Sequence, residues 1–270
     1  MSSQVISSTQ LLEGDVLLYH GTGLMSRLIR LFDGGDYSHA AIFHSGHSTE
    51  VLGDGVVKSP LPDSVSGAKY VDVYRFFKNG SALANGNLPA SPLDTAISYW
   101  EKYSQRYAYE QILLLALLAS TRKLTAAGRF PGLALILKDI FDAATESVAR
   151  MIAAGKEPVV CSELVYRCFK NADGTGKYEL LIKAADLAGL TVPAEQAGLT
   201  DQARAAEFCD LQARAADFLL KYAAAKRANC SARSSVNGTP AITGAVADLV
   251  TPHDLQTSPN LHLAGTLRFC

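Results

Sequence analysis

Two segments far apart in the chain constrain its fold more than anything else: Tyr37-Ser38-His39-Ala40-Ala41-Ile42-Phe43 and Val159-Val160-Cys161-Ser162-Glu163-Leu164-Val165. The first reads as a strand that carries a histidine, the second as a cysteine at the start of a helix. A thiol at a helix N-terminus feels the positive end of the helix dipole, and a nearby imidazole can ionise it, which turns a weak nucleophile into a strong one. A fold that uses both must set a helix N-terminus against the histidine's strand. The pattern points to a cysteine hydrolase or acyltransferase.

The rest of the chain can build such a fold. Gly14-Asp15 turns into a strand at Val16 to Tyr19, and Leu24, Leu28, Leu31 and Phe32 recur at helical spacing until Gly34-Gly35 ends the helix. Strands are expected at Ser38 to Phe43, Thr49 to Leu52, Val56 to Lys58 and Tyr70 to Phe76, with Gly53-Asp54-Gly55 as a hairpin turn. Residues 79 to 92 read as a loop. Helices are expected over 93 to 103, 109 to 124, 133 to 152, 161 to 169 and 201 to 228, the last of them Ala-rich and amphipathic; 230 to 240 reads as a polar loop, and 266 to 269 as a returning strand. With no internal repeat and no clean linker, this predicts one α+β domain over residues 1–270, a small antiparallel sheet packed against helices. The helical stretches at about 111–155 and 201–228 stand out as insertions.

Composition excludes several classes. An apolar fraction of 48% over 270 residues is ample for a core, and a net charge of -1 leaves no electrostatic footprint for nucleic acid or an anionic membrane. Cys161, Cys168, Cys209, Cys230 and Cys270 are odd in number and scattered, which reads as reduced thiols rather than a disulfide framework. Residues 1 to 14 lack the basic and apolar regions of a signal peptide. The expectation is a protein made in the cytoplasm that stays there or leaves by a signal-independent route. The longest apolar run, Ile112 to Ala119, is too short for a transmembrane segment.

Taken singly, the candidate residues stay ambiguous. His39 shares a strand face with Ala41 and Phe43, opposite His44, so His39, His44 and His47 do not converge as a zinc site and no metal or cofactor is expected. Either a structural histidine or a base fits. A cysteine at the end of an apolar run is often simply buried, yet the helix-start position of Cys161 argues for reactivity. Cys168, two turns on, reads as packing. Antiparallel pairing could bring Glu50 to the imidazole as an orienting third group, or leave it solvated. Tyr107 and Tyr109 could donate to an oxyanion or be ordinary half-buried tyrosines.

Together, Gly14-Asp15-Val16-Leu17, Ser38-His39-Ala40-Ala41-Ile42, Glu50 with Gly53 to Val56, and Cys161-Ser162-Glu163-Leu164-Val165 resemble the circularly permuted branch of the NlpC-type papain-like superfamily. They are similar to the YiiX-like hydrolases and, more distantly, to lecithin:retinol acyltransferase-like proteins. Arg106-Tyr107-Ala108-Tyr109 and Thr251-Pro252-His253-Asp254-Leu255 with Ser258-Pro259 match further segments. The histidine precedes the cysteine, as the permutation requires. The resemblance implies a permuted papain-like fold with Cys161 as nucleophile, His39 as general base, Glu50 as third residue and Tyr107 as oxyanion donor. It does not account for the two helical insertions.

The leading expectation is a cysteine peptidase or amidase acting on peptidoglycan peptides, as many members of that superfamily do. Without a signal peptide it fits an antibacterial effector delivered by type VI secretion into a target periplasm, with an immunity or carrier protein as partner. The alternative is a lipid thioesterase, phospholipase or acyltransferase, with Leu113, Leu114 and Leu115 facing an acyl chain or packing in the core. A second alternative is a papain-like binding module that has lost activity.

Overall fold

The computed structural model describes residues 4–52, 55–78, 81–82, 93–94, 97–98, 101, 107–108, 111–121, 131–172, 177–182, 202–233 and 249–268. The expected Gly53-Asp54 turn, most of the 79–92 loop and Tyr109 lie outside them. The described strands are β1 (Val5–Ile6), β2 (Val16–Gly21), β3 (His39–His44), β4 (His47–Leu52), β5 (Gly55–Pro60), β6 (Ala68–Lys78), β7 (Ser81–Ala82), β8 (Tyr107–Ala108), β9 (Glu157–Pro158) and β10 (Leu261–Leu267). The described helices are α1 (Leu24–Asp33), α2 (Leu61–Val65), α3 (Gln111–Thr121), α4 (Pro131–Ala153), α5 (Cys161–Asn171), α6 (Gln202–Arg233) and α7 (Pro252–Gln256).

The main sheet runs β1-β10-β6-β2-β3-β4-β5, with β7 beside β6; its neighbours are antiparallel except the β1–β10 edge pair. It is larger than the small sheet expected, because the Val5–Ile6 and Ser81–Ala82 pieces carry no readable pattern and β10 begins earlier than the expected 266–269 strand. Both faces are covered. Val16 and Leu18 enter a large core shared with α1, α3, α4, α5 and α6, whereas Leu17 and Tyr19 enter a smaller one with Ala41, Phe43, Leu61, Val65 and Val73. A strand buried on both sides needs apolar residues at every position, which is why residues 16 to 19 form an unbroken run.

The helical layer follows the same economy. α3 is apolar all round, and Leu113 to Ser120 are buried between α1, α4 and α6, the placement required of a helix with no polar face. Helix α1 is rotated from the face its leucines suggest. Ile29 and Phe32 are buried, while Leu24 and Leu31 are 74% and 56% exposed. Gly34, at φ 77, ends α1 in the left-handed conformation that only glycine adopts freely, and its N–H bonds Arg30 O at 2.8 Å. Helix α6 continues to Arg233, into the stretch expected to be a loop, and runs along α4.

The C-terminal arm brings the chain back to the site. Thr251 and Asp254 cap α7 reciprocally, Asp254 N–H donating to Thr251 Oγ1 at 3.2 Å and Thr251 N–H to Asp254 Oδ2 at 3.0 Å. His253 N–H donates to Asp33 Oδ2 at 2.8 Å, which fastens α7 to the end of α1. No helix among the described residues is long and apolar enough to cross a membrane.

Candidate active site

His39 opens β3, and the β2–β3 register sets it directly opposite Tyr19. Residues opposite one another in a sheet share a face, and the two rings meet edge to face with centroids 5.2 Å apart. Glu50 on β4 pairs with Ala41, two residues along, so it reaches His39 as a diagonal neighbour. Its Oε2 lies 2.8 Å from His39 Nε2. The Tyr19 hydroxyl bonds Ser48 Oγ at 2.9 Å and Ser64 Oγ at 2.7 Å, tying β2 and β4 to α2 behind the imidazole.

Cys161 is the first residue of α5, after Val160 in an extended conformation (φ -100, ψ 157). Valine has no side-chain oxygen, so the N-cap is closed only from within the helix, by the Glu163 carboxylate accepting from Val160 N–H at 3.5 Å. The three residues that begin α5 each hold a different element. Cys161 lies against the His39 ring, Ser162 Oγ donates to Val250 O at 2.6 Å in the C-terminal arm, and Glu163 meets Lys226 of α6. Cys161 has no exposed surface, whereas the His39 side chain keeps 13%. The imidazole is the part of the pair that meets solvent.

The electrostatics form a chain. Burial disfavours a charged His39 ring, but the Cys161 sulfur, by charge and hydrogen bond, and then Glu50 outweigh it and push the imidazole up to about 10. Glu50 shifts the other way. Burial raises it, yet the hydrogen bond and charge of His39, followed by the hydroxyls of Ser59 and Ser64, hold its carboxyl below the usual range. Oε1 itself is buried, and none of the described residues meets it in strict hydrogen-bond geometry. Glu50 engages Nε2, so Nδ1 is the nitrogen left to exchange a proton with the sulfur. A carboxylate, an imidazole and a thiol at a helix N-terminus, with the thiol's proton passed to the ring, can carry out nucleophilic acyl transfer.

The structure thus brings together Cys161, His39 and Glu50. Tyr107 stands in β8, its backbone paired with Glu157 of the strand that leads into α5, but its side chain lies outside the described residues. Cys168 is fully buried, and burial raises its thiol. His44 binds Glu13 Oε2 at 2.8 Å and also Asp94, and His47 Nδ1 lies 2.8 Å from Ser45 O, so each is engaged away from His39. Among the described residues no group of three or more His, Cys, Asp or Glu could hold a metal ion. Sequence reasoning missed Tyr19, Ser48, Ser59, Ser64 and Lys226. The first could have been found from the Val16–Tyr19 strand had its register against His39 been readable; the others carry no local signal.

No family model and no curated protein matches this chain. The crystal structure of the metalloprotein YiiX from Escherichia coli O157:H7 aligns with 95% of this chain and 97% of its own, at 14% identity and a TM-score of 0.45. A likeness of that size decides neither the fold family nor the chemistry.

Proposed function

We propose that this chain is a cysteine hydrolase of the permuted papain-like kind, one domain through residues 1–270, that cleaves amide bonds in peptidoglycan peptides. The observation that carries the reading is a single imidazole held between a buried carboxylate and the first residue of a helix, a cysteine. The Cys161 thiolate attacks the amide carbon, a C–S bond forms and the carbonyl electron pair moves onto oxygen. The N–H groups of the first turn of α5, which have no partner inside a helix, and the Tyr107 phenol receive that oxyanion. Collapse breaks the C–N bond while the His39 imidazolium passes its proton to the leaving amine. Water then attacks the thioester, His39 takes its proton, and the thiolate departs from the carboxyl product. Glu50 stabilises the imidazolium and fixes which ring nitrogen faces the sulfur.

A peptidoglycan enzyme of this kind would act in the periplasm of a target cell as an antibacterial effector of type VI secretion, with an immunity protein as its partner. The lipid-ester alternative uses the same dyad, but Leu113, Leu114 and Leu115 are at most 1% exposed and spent on the core, so the acyl groove they would have lined is not built from them. Mass spectrometry of peptidoglycan digested with wild-type protein and with Cys161→Ala tests the reading. New muropeptides with wild type alone support it and identify the bond. If both digests match untreated wall, the peptidoglycan assignment falls, and lipid esters are assayed next with the same pair of proteins.

A further inference from the structure

Behind the candidate nucleophile lies a second buried charge cluster that the chemistry above does not use. Glu163, two residues after Cys161, has no exposed surface. Lys226 of α6, 4% exposed, donates to both of its oxygens, Oε1 at 2.8 Å and Oε2 at 2.7 Å. Arg167, one turn along α5, places Nε 2.7 Å from Oε1. Glu157 of β9, 3% exposed, lies 3.6 Å from the lysine nitrogen, and that nitrogen sits 5.4 Å from the centre of the Tyr222 ring. Among the described residues two carboxylates face two cations, so their formal charges balance.

The position of Glu163 makes that neutrality matter. Its carboxylate closes the N-cap of α5, where negative charge is favoured by the N–H groups of the first turn and the dipole. A thiolate on Cys161 depends on the same positive helix end. Left uncompensated in a poorly screened interior, the Glu163 charge would compete with the thiolate and repel it. We propose that Lys226 is a positioning residue for the nucleophile: by balancing Glu163, it lets the carboxylate cap α5 without opposing a negative charge on Cys161. The proposal rests on Cys161 being the nucleophile. The charged and titratable groups around the first turn of α5 include, among the described residues, His39 and Glu50 from the sheet, Glu157 from β9, Arg167 from α5 itself and Tyr222 and Lys226 from α6.

The test is a pH titration of thiolate ultraviolet absorbance, each protein read against the same protein carrying Cys161→Ala, so that other thiols and phenols cancel and no reagent needs access. Lys226→Met leaves the cluster with a net negative charge, and the Cys161 midpoint rises by about one pH unit. Glu163→Gln leaves it net positive, and the midpoint falls by a similar amount. The Glu163→Gln/Lys226→Met double variant is neutral again and returns to the wild-type midpoint, as does Lys226→Arg alone. A purely structural role for the pair predicts no such opposed displacement, so two single variants moving in the same direction, or not at all while still folded, overturn the proposal. Should Lys226→Met fail to fold, Glu163→Gln below wild type with the double variant at wild type supports the proposal, and Glu163→Gln at the wild-type midpoint overturns it. A wild-type protein with no Cys161 thiolate across the titration overturns the nucleophile reading itself, a different failure from variants that do not shift.

Discussion

Two buried charge clusters flank Cys161, and they differ in what holds them. His39 and Glu50 are 11 residues apart, neighbours in a hairpin, with the His39 side chain 13% exposed. Glu163 and Lys226 are 63 residues apart, joined because α6 packs beside β9, the strand that leads into α5, and both are buried. The first arrangement is suited to moving a proton, because its members change charge together. The second holds a fixed balance and resists change, because breaking a buried ion pair leaves an uncompensated charge. Substitutions on the sheet side should therefore cost turnover most, and those on the helix side should cost stability most while shifting the Cys161 midpoint only modestly.

The sharpest break of that comparison is His39→Gln. Glutamine keeps a donor toward Glu50 but cannot carry a proton, so kcat for hydrolysis should fall by about a thousandfold or more, a loss well beyond the drop in thermal midpoint that removing the ion pair with Glu50 brings. Equal losses in both would make His39 a structural histidine. On the other side, Lys226→Met should destabilise the fold by about 3 kcal/mol in denaturant titration, with most of that recovered in the Glu163→Gln/Lys226→Met double variant. If the double variant is no more stable than the single, the buried pair is not what anchors α6 to the start of α5.

The same contrast explains what the sequence allowed to be read. The strands at Val16 and Ser38, the α1 stop at Gly34 and the entry to α5 are written in local signals: short apolar runs bounded by turn residues, a left-handed glycine, a helix period that follows Pro158. Glu50 could be placed near His39 because a short hairpin leaves few registers open. Lys226 could not, since in Lys221-Tyr222-Ala223-Ala224-Ala225-Lys226 a lysine looks like a solvated cation on an Ala-rich helix, and nothing local says which neighbour will bury it. The α1 leucines misled for a related reason. Of the expected apolar residues Phe32 is buried and Leu28 packs against the core, but packing turned Leu24 and Leu31 outward and took Ile29 in instead. The two-residue strands β1 and β7 exist only because longer partners pair with them, and β8 and β9, two residues each, pair with one another.

Glu50→Gln sharpens the sheet side with a smaller effect. Glu50 is one of the groups that raise His39, so its neutral replacement lowers the ring's protonation midpoint. The imidazolium is the acid that protonates the leaving amine, so the alkaline limb of kcat/KM, expected near about pH 10 in wild type, moves to lower pH, with a rate loss of about tenfold to a hundredfold at neutral pH. The sign is the same for stability: what a raised His39 contributes is complete below the ordinary imidazole range and is lost as pH rises through about 10. An alkaline limb that does not move would leave Glu50 as a packing residue and return His39 to the influence of Cys161 alone.

The smallest effect should come from Tyr19→Phe. The ring stays, and with it the edge contact to His39; only the hydroxyl between Ser48 and Ser64 is removed. Ser48 is fully buried, so its hydroxyl loses a partner that water cannot easily replace, and the fold should lose about 1 kcal/mol with kcat unchanged. Ser64, however, is also one of the groups that hold Glu50 ionised. If Tyr19→Phe displaces the alkaline limb as far as Glu50→Gln does, the hydroxyl chain from Tyr19 through Ser64 belongs to the proton-handling side of the comparison rather than to the packing behind it, and the acid–base unit extends from the β3–β4 hairpin into β2 and α2.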